Sequence, residues 1–130
     1  MKTVKWCIVL AGLLSVSATS ATAGVGVVLN AAVASVTSLP LPFGQGALIH
    51  KPGNMEIVVQ GGFTLPEGVT CDTLFITTLA SVDPDKSMFQ LLTAAITNGQ
   101  RVNLGITDDP QYTAFTGRCS LVFVTLIKKP

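Results

Sequence analysis

Reactive and charged side chains are scarce in this chain. It holds one histidine (His50), one tyrosine (Tyr112) and one tryptophan (Trp6) in 130 residues, and 12 % of the residues are charged. A lone histidine and three cysteines give no Cys/His pair at metal-ligand spacing, so a zinc module is excluded. No G-x-S-x-G, H-E-x-x-H or phosphate-cradling glycine loop occurs, so the common hydrolase and nucleotide motifs are missing. The acidic pairs Asp83/Asp85 and Asp108-Asp109 lack the spacing of an EF-hand loop. No basic stripe is present, which argues against nucleic acid as a partner. These absences predict no catalytic set, no metal and no cofactor.

What is present begins with an export signal. Lys2 and Lys5 precede an uncharged apolar run, "WCIVLAGLLSV", and small residues lead to Ala21-Thr22-Ala23. This is an n-region, an h-region and an A-x-A site, so residues 1–23 read as a signal peptide cleaved before Gly24. The run is shorter than the ~20 residues of a spanning helix. Charge is absent from Ile8 to Ile49, so an uncleaved anchor is the competing reading; Gly24 and Gly26 stand against a continuing helix. Cleavage would take two of the eight Lys+Arg and leave six against seven acids, a net charge near −1. Residues 24–130 form one small domain, periplasmic or secreted, with no stable membrane span. Cys71 and Cys119 remain, and an even count in an exported domain predicts one disulfide. Closing that loop contributes about 3–5 kcal/mol in the chain-entropy model. Two unrelated thiols are the alternative, disfavoured in an oxidising compartment.

The rest reads as mainly β. "VGVVLNAAVASVT" (25–37) is small, β-branched and loosely alternating, a first strand bent near Asn30. "SLPLPFGQG" (38–46) breaks regularity. Lys51-Pro52-Gly53-Asn54 is a turn between 47–50 and a second strand at 54–60, the two expected to pair as a hairpin. Cys71 is expected to open a third strand, "CDTLFITTL". "DPDKSMFQLLTAAITNGQ" (83–100) then breaks the β pattern. Asp83 suits an N-cap, Pro84 N1, and Asp85 the positive end of the dipole. Met88, Leu91, Leu92, Ala95 and Ile96 recur on one helical face, and Asn98-Gly99 ends it. Strands at 101–107 and 119–128 flank a loop, 108–118.

Strand, strand, strand, helix, strand, strand is the order of a five-stranded OB-like barrel, with one amphipathic helix between strands 3 and 4 closing one end. Residues 71–127 also resemble small exported bacterial OB-type proteins related in fold to the B subunits of AB5 toxins, the subtilase-cytotoxin B subunit among them. The likeness rests on a strand after a cysteine, the helix and strand "SMFQLLTAAITNGQRVNLGI", and a second cysteine in "GRCSLVFVTL". It implies a non-enzymatic binding domain, with a glycan or protein receptor as partner and self-assembly into a homo-oligomer. It carries no receptor-binding residue onto a position here.

Binding faces of OB-type folds use strands two and three and the loops joining strands one to two and four to five. Here those loops are 38–53 and 108–118, and the candidate ligand residues are Phe43, His50, Tyr112, Phe115 and Arg118, with Lys51 and Gln111 beside them. Rings next to amide and guanidinium donors suit a sugar or a peptide. In the competing reading Phe43 and Phe115 only pin their loops to the core. The alternative function is a fimbria-like or coat subunit, a β-sandwich in which 25–37 serves as a donor strand to a neighbour.

Overall fold

The computed structural model describes residues 22–46 and 48–129. The signal-peptide reading, apart from Thr22 and Ala23, lies outside the described residues. Among the described residues eight strands and one α-helix follow in order: β1 (Val25–Ala31), β2 (Val33–Leu39), β3 (Phe43–Gln45), β4 (Leu48–His50), β5 (Asn54–Val59), β6 (Phe75–Thr78), α1 (Ser87–Asn98), β7 (Val102–Thr107) and β8 (Cys119–Leu126). A short 3-10 turn, Pro110–Tyr112, precedes β8. The described residues are therefore mainly β with one helix, as the sequence predicts. Six strands form one sheet in the order β1-β7-β8-β6-β5-β2, and β3-β4 is a separate hairpin. Within the six-stranded sheet β6 and β8 run parallel, and every other pairing is antiparallel.

The first long strand is two. Ala32 interrupts it, and its halves pair at opposite ends of the sheet order, β1 with β7 and β2 with β5. The bend sits at Asn30, as expected. Asn30 takes a left-handed backbone (φ 56°), and the β1–β7 register shifts between Val28 and Ala31. Two side chains hold this bulge. Asn103 Oδ1 accepts from the Asn30 N–H at 2.9 Å, and an Arg101 guanidinium N–H donates to the Asn30 carbonyl at 3.0 Å. Both halves are paired within the chain, each along one edge, β1 to β7 and β2 to β5.

Ile57, Ile76, Leu92, Leu104, Ile106 and Leu121 are fully buried and form the centre of the core. Each large side chain taken from water contributes about 1.5–3 kcal/mol. Helix α1 packs on β2 and β8 and buries Met88, Leu92 and Ala95. Leu91 and Ile96, expected on the same face, are 36 % and 38 % exposed. Twelve residues offer a narrow stripe, and these two flank it.

Three local expectations need correction. First, the helix starts at Ser87, not near Asp83. Residues 83–86 form a turn, with the Lys86 N–H bonded to the Asp83 carbonyl at 3.1 Å and Lys86 left-handed (φ 60°). Asp83 still caps from that distance. It is buried, and it accepts from the N–H groups of Met88 (3.0 Å) and Phe89 (3.1 Å). Gly99 closes the far end as expected, left-handed, with the Gln100 N–H bonded to the Ala95 carbonyl at 2.8 Å.

Second, Cys71 does not open a strand. Asp72 Oδ1 accepts from the N–H groups of Leu74 (2.7 Å) and Phe75 (2.8 Å), and this side-chain turn delays β6 until Phe75. The Cys71–Cys119 disulfide is present, with Cα atoms 5.3 Å apart, and ties that loop to the first residue of β8. Third, residues 48–50 pair with 43–45 and not with 54–60. Gly46 begins the turn at a left-handed φ of 61°, and Gly44, within β3, is also at positive φ.

Candidate functional site

The β3-β4 hairpin hangs over one face of β2, β5 and β6 and leaves a cavity of about 510 Å³. Its lining comes from five places: Thr37 and Leu39 on β2, Phe43, Gly44, Leu48 and His50 on the hairpin, Glu56 on β5, Phe75 on β6, and Phe115 and Arg118 on the loop before β8. Gly44 is needed there. Its φ is 131°, and a Cβ would overlap the Leu48 carbonyl across the hairpin.

Arg118 is the centre of the site. The loop turns back at Phe115, whose carbonyl accepts from the Arg118 N–H at 3.3 Å. This aims the guanidinium between two rings, with Cζ 4.3 Å from the Phe75 centroid and 4.2 Å from that of Phe115. Stacking of this kind contributes about 0.5–2 kcal/mol, more as water is excluded. The same guanidinium donates to Glu56 Oε2 and lies 3.2 Å from His50 Nε2. Glu56 Oε2 is also 3.2 Å from His50 Nε2.

His50 is only 5 % exposed, and its ring lies 4.4 Å from the Phe115 centroid at a 36° tilt. Burial pushes its pKa below the usual histidine value; the Glu56 carboxylate opposes that shift and the Arg118 cation adds to it. Burial thus favours the neutral imidazole over the charged form. If Nε2 accepts from Arg118 its proton sits on Nδ1, and Nδ1 has no hydrogen-bond partner among the described residues.

Of the sequence-predicted residues, Phe43, His50, Phe115 and Arg118 meet in this cavity. Phe43 is 69 % exposed, so it does not pin its loop to the core. Tyr112 does not join them. Asp109 caps the 3-10 turn by accepting from the Gln111 N–H at 2.9 Å, and the Tyr112 carbonyl accepts from Ser120 Oγ at 2.6 Å. Lys51 reaches across to the Thr113 carbonyl at 3.0 Å and links the two predicted loops outside the cavity. Glu56 and Phe75 lie on the second and third expected strands, where a binding face is expected, but the sequence reading does not single them out. Alternation along the strand gives Glu56 only a place on the face opposite Met55 and Ile57, although a carboxylate there is the natural counter-ion for Arg118.

A second cavity, of about 430 Å³, lies at the β1 bulge between Asn30, Gln60, Thr64 and Arg101. Among the described residues no cluster of three His, Cys, Asp or Glu could hold a metal ion, and no helix is long and apolar enough to cross a membrane. No family model, curated protein or solved structure matches this chain. The site is therefore read from its own geometry.

Proposed function

We propose that the chain is an exported, non-enzymatic binding domain of the OB type, and that the Arg118 cavity takes a glycan. The barrel reading is supported by β1 and β2 being both the outermost strands of the sheet order and neighbours in the chain, parted by Ala32 alone. Counted as one bent strand, 25–39 makes five, and α1 then falls between the third and the fourth.

One observation carries the binding reading: a guanidinium fixed between Phe75 and Phe115 at the base of a cavity walled by Leu39, Phe43 and Leu48. Sugars present just such a mixture, C–H faces for a ring and hydroxyls for fixed donors. Glu56 offsets the Arg118 charge, and His50 is sequestered, so the arrangement orients polar groups and activates no nucleophile. Outward-facing Val25 and Leu29 on β1, with Leu41 and Leu48 at the hairpin, support assembly with further copies of the same chain.

Binding to an immobilised glycan series tests the reading. The wild type retains a subset of sugars, and Arg118→Ala and Phe43→Ala lose it. Retention unchanged in both variants overturns the assignment, as does turnover of a bound sugar that His50→Gln abolishes. Native mass measurement at micromolar concentration checks assembly, and a monomer throughout removes it.

A further inference from the structure

We propose that cleavage after Ala23 builds an ion pair into the fold, with the new α-ammonium of Gly24 seated on the Asp108 carboxylate. The proposal rests on the export reading above.

The seat is already formed. The half-buried Gly24 nitrogen donates to Asp108 Oδ1 at 2.7 Å, and Asp108 Oδ2 accepts from the Thr70 N–H at 2.8 Å. The Gly24 carbonyl accepts from Thr107 Oγ1 at 2.7 Å and from the Asp108 N–H at 3.3 Å. Both polar atoms of Gly24 are thus gripped, and the residue is fixed before β1 begins. A Cβ at this position would overlap the Gly68 carbonyl, so only glycine fits beside the 61–70 loop. Thr22 and Ala23 are exposed, which leaves the scissile bond approachable.

Hydrolysis changes what Asp108 meets. Water adds across the Ala23–Gly24 amide, its oxygen stays with Ala23 as a carboxylate, and the Gly24 nitrogen leaves as an amine that takes up a proton. One neutral N–H becomes three N–H groups carrying a positive charge. Charge-assisted hydrogen bonds are shorter and roughly twice as strong as neutral ones. The same carboxylate holds Thr70, next to Cys71, so the pair would brace β1, the 61–70 loop and the disulfide together. Processing then consolidates the domain as well as releasing it.

The test is a two-by-two comparison of exported protein made from the full chain with its own leader. One change is Asp108→Asn. The other inserts a serine between Ala23 and Gly24, which keeps the Gly24 N–H and moves the charge one residue away. Intact mass identifies each start. The insertion is expected to lower Tm by about 4–8 °C, the shift that accompanies ~1 kcal/mol in a domain of this size, and to have little effect with Asn at 108. An equal shift in both backgrounds, or none in the wild type, overturns the proposal while leaving export intact. A purified product that still carries its leader overturns the export reading and this proposal together. If Asp108→Asn fails to accumulate, selective acetylation of the wild-type α-amine decides: a lower Tm is expected, and an unchanged Tm overturns the proposal.

Discussion

Arg118 donates to Glu56 across 62 residues of chain, and the two meet only because the loop before β8 folds back over β5. Their side chains are 16 % and 21 % exposed, so water reaches the pair but does not fully solvate it. Removing one partner strands the other beside His50. For a fully buried pair that costs about 3–5 kcal/mol; with this residual solvation we expect Arg118→Ala to lose about 1–3 kcal/mol. Arg118→Lys should recover the charge but not the stacking between Phe75 and Phe115, since an ammonium has no plane to offer. Urea unfolding of the three proteins checks the order wild type, Lys, Ala, and Lys equal to wild type would contradict the stacking argument.

His50 gives the fold an acid-side sensitivity. Its pKa is lower folded than the ordinary 6.5, so between the two values the unfolded chain binds more protons. Its contribution to stability is full above about pH 6.5 and is lost as pH falls toward the folded value. Below that value no further loss arises from this group. Asp72 acts in a separate, lower window. Hydrogen bonds from the Phe75 and Leu74 N–H groups hold its pKa below 3.8, so its contribution is present above 3.8 and disappears as pH falls through the folded value. Unfolding free energies measured from about pH 8 down to about pH 5 should fall in the wild type and fall less in His50→Gln. Parallel curves would remove His50 as the source.

The disulfide should matter more than any one surface contact. Cys71 and Cys119 are separated by 48 positions, and joining them restricts the unfolded chain. Loss of the bridge should cost about 3–5 kcal/mol by the entropy model. The Cys71→Ser/Cys119→Ser protein is expected to unfold at lower denaturant, and the wild type in reductant should follow it. Coincident midpoints for oxidised wild type and the double variant would show that the unfolded state gains little from being open.

Periodicity makes α1 and most strands legible, because a packed face must repeat with the backbone. Alternating Val102, Leu104 and Ile106 announce β7, and all three are fully buried. The disulfide follows from an even cysteine count in a domain expected to be exported. What escapes the sequence depends on side chains competing with the backbone at element ends. Asp72 and Asp83 each form local turns that shorten the element expected to follow them. The small β3-β4 hairpin escapes as well, since "SLPLPFGQG" shows only breakers and its pairing needs Gly44 and Gly46 at positive φ. Phe43, His50, Phe115 and Arg118 can be nominated because loop position in the expected fold groups them. Tyr112 is grouped by the same rule and separated by the cap at Asp109. Glu56 becomes visible only once β5 is placed under Arg118.

Asp83 allows the displaced cap to be tested directly. Its carboxylate serves three donors, the N–H groups of Met88 and Phe89 and the Ser87 hydroxyl at 3.3 Å. These satisfy groups that the first helical turn cannot satisfy internally. Replacing a capping side chain with alanine costs about 0.5–2 kcal/mol. Asp83 is also buried, so alanine leaves a small void and helix donors without acceptors, which places Asp83→Ala at the upper end of that range. Asp83→Asn keeps one acceptor oxygen and should fall between. Ser87→Ala removes only the weakest of the three bonds, at an exposed position, and should cost well under about 1 kcal/mol. Denaturant midpoints check this ranking, in which the loss is largest for Asp83→Ala, smaller for Asp83→Asn and smallest for Ser87→Ala. Because α1 lies on β2 and β8, fraying of its first turn would also loosen Met88 from the core. Faster amide exchange at Met88 and Phe89 than at Ala95 should therefore accompany the Asp83→Ala loss, and unchanged exchange there would mean that the turn at 83–86 holds the helix without its carboxylate.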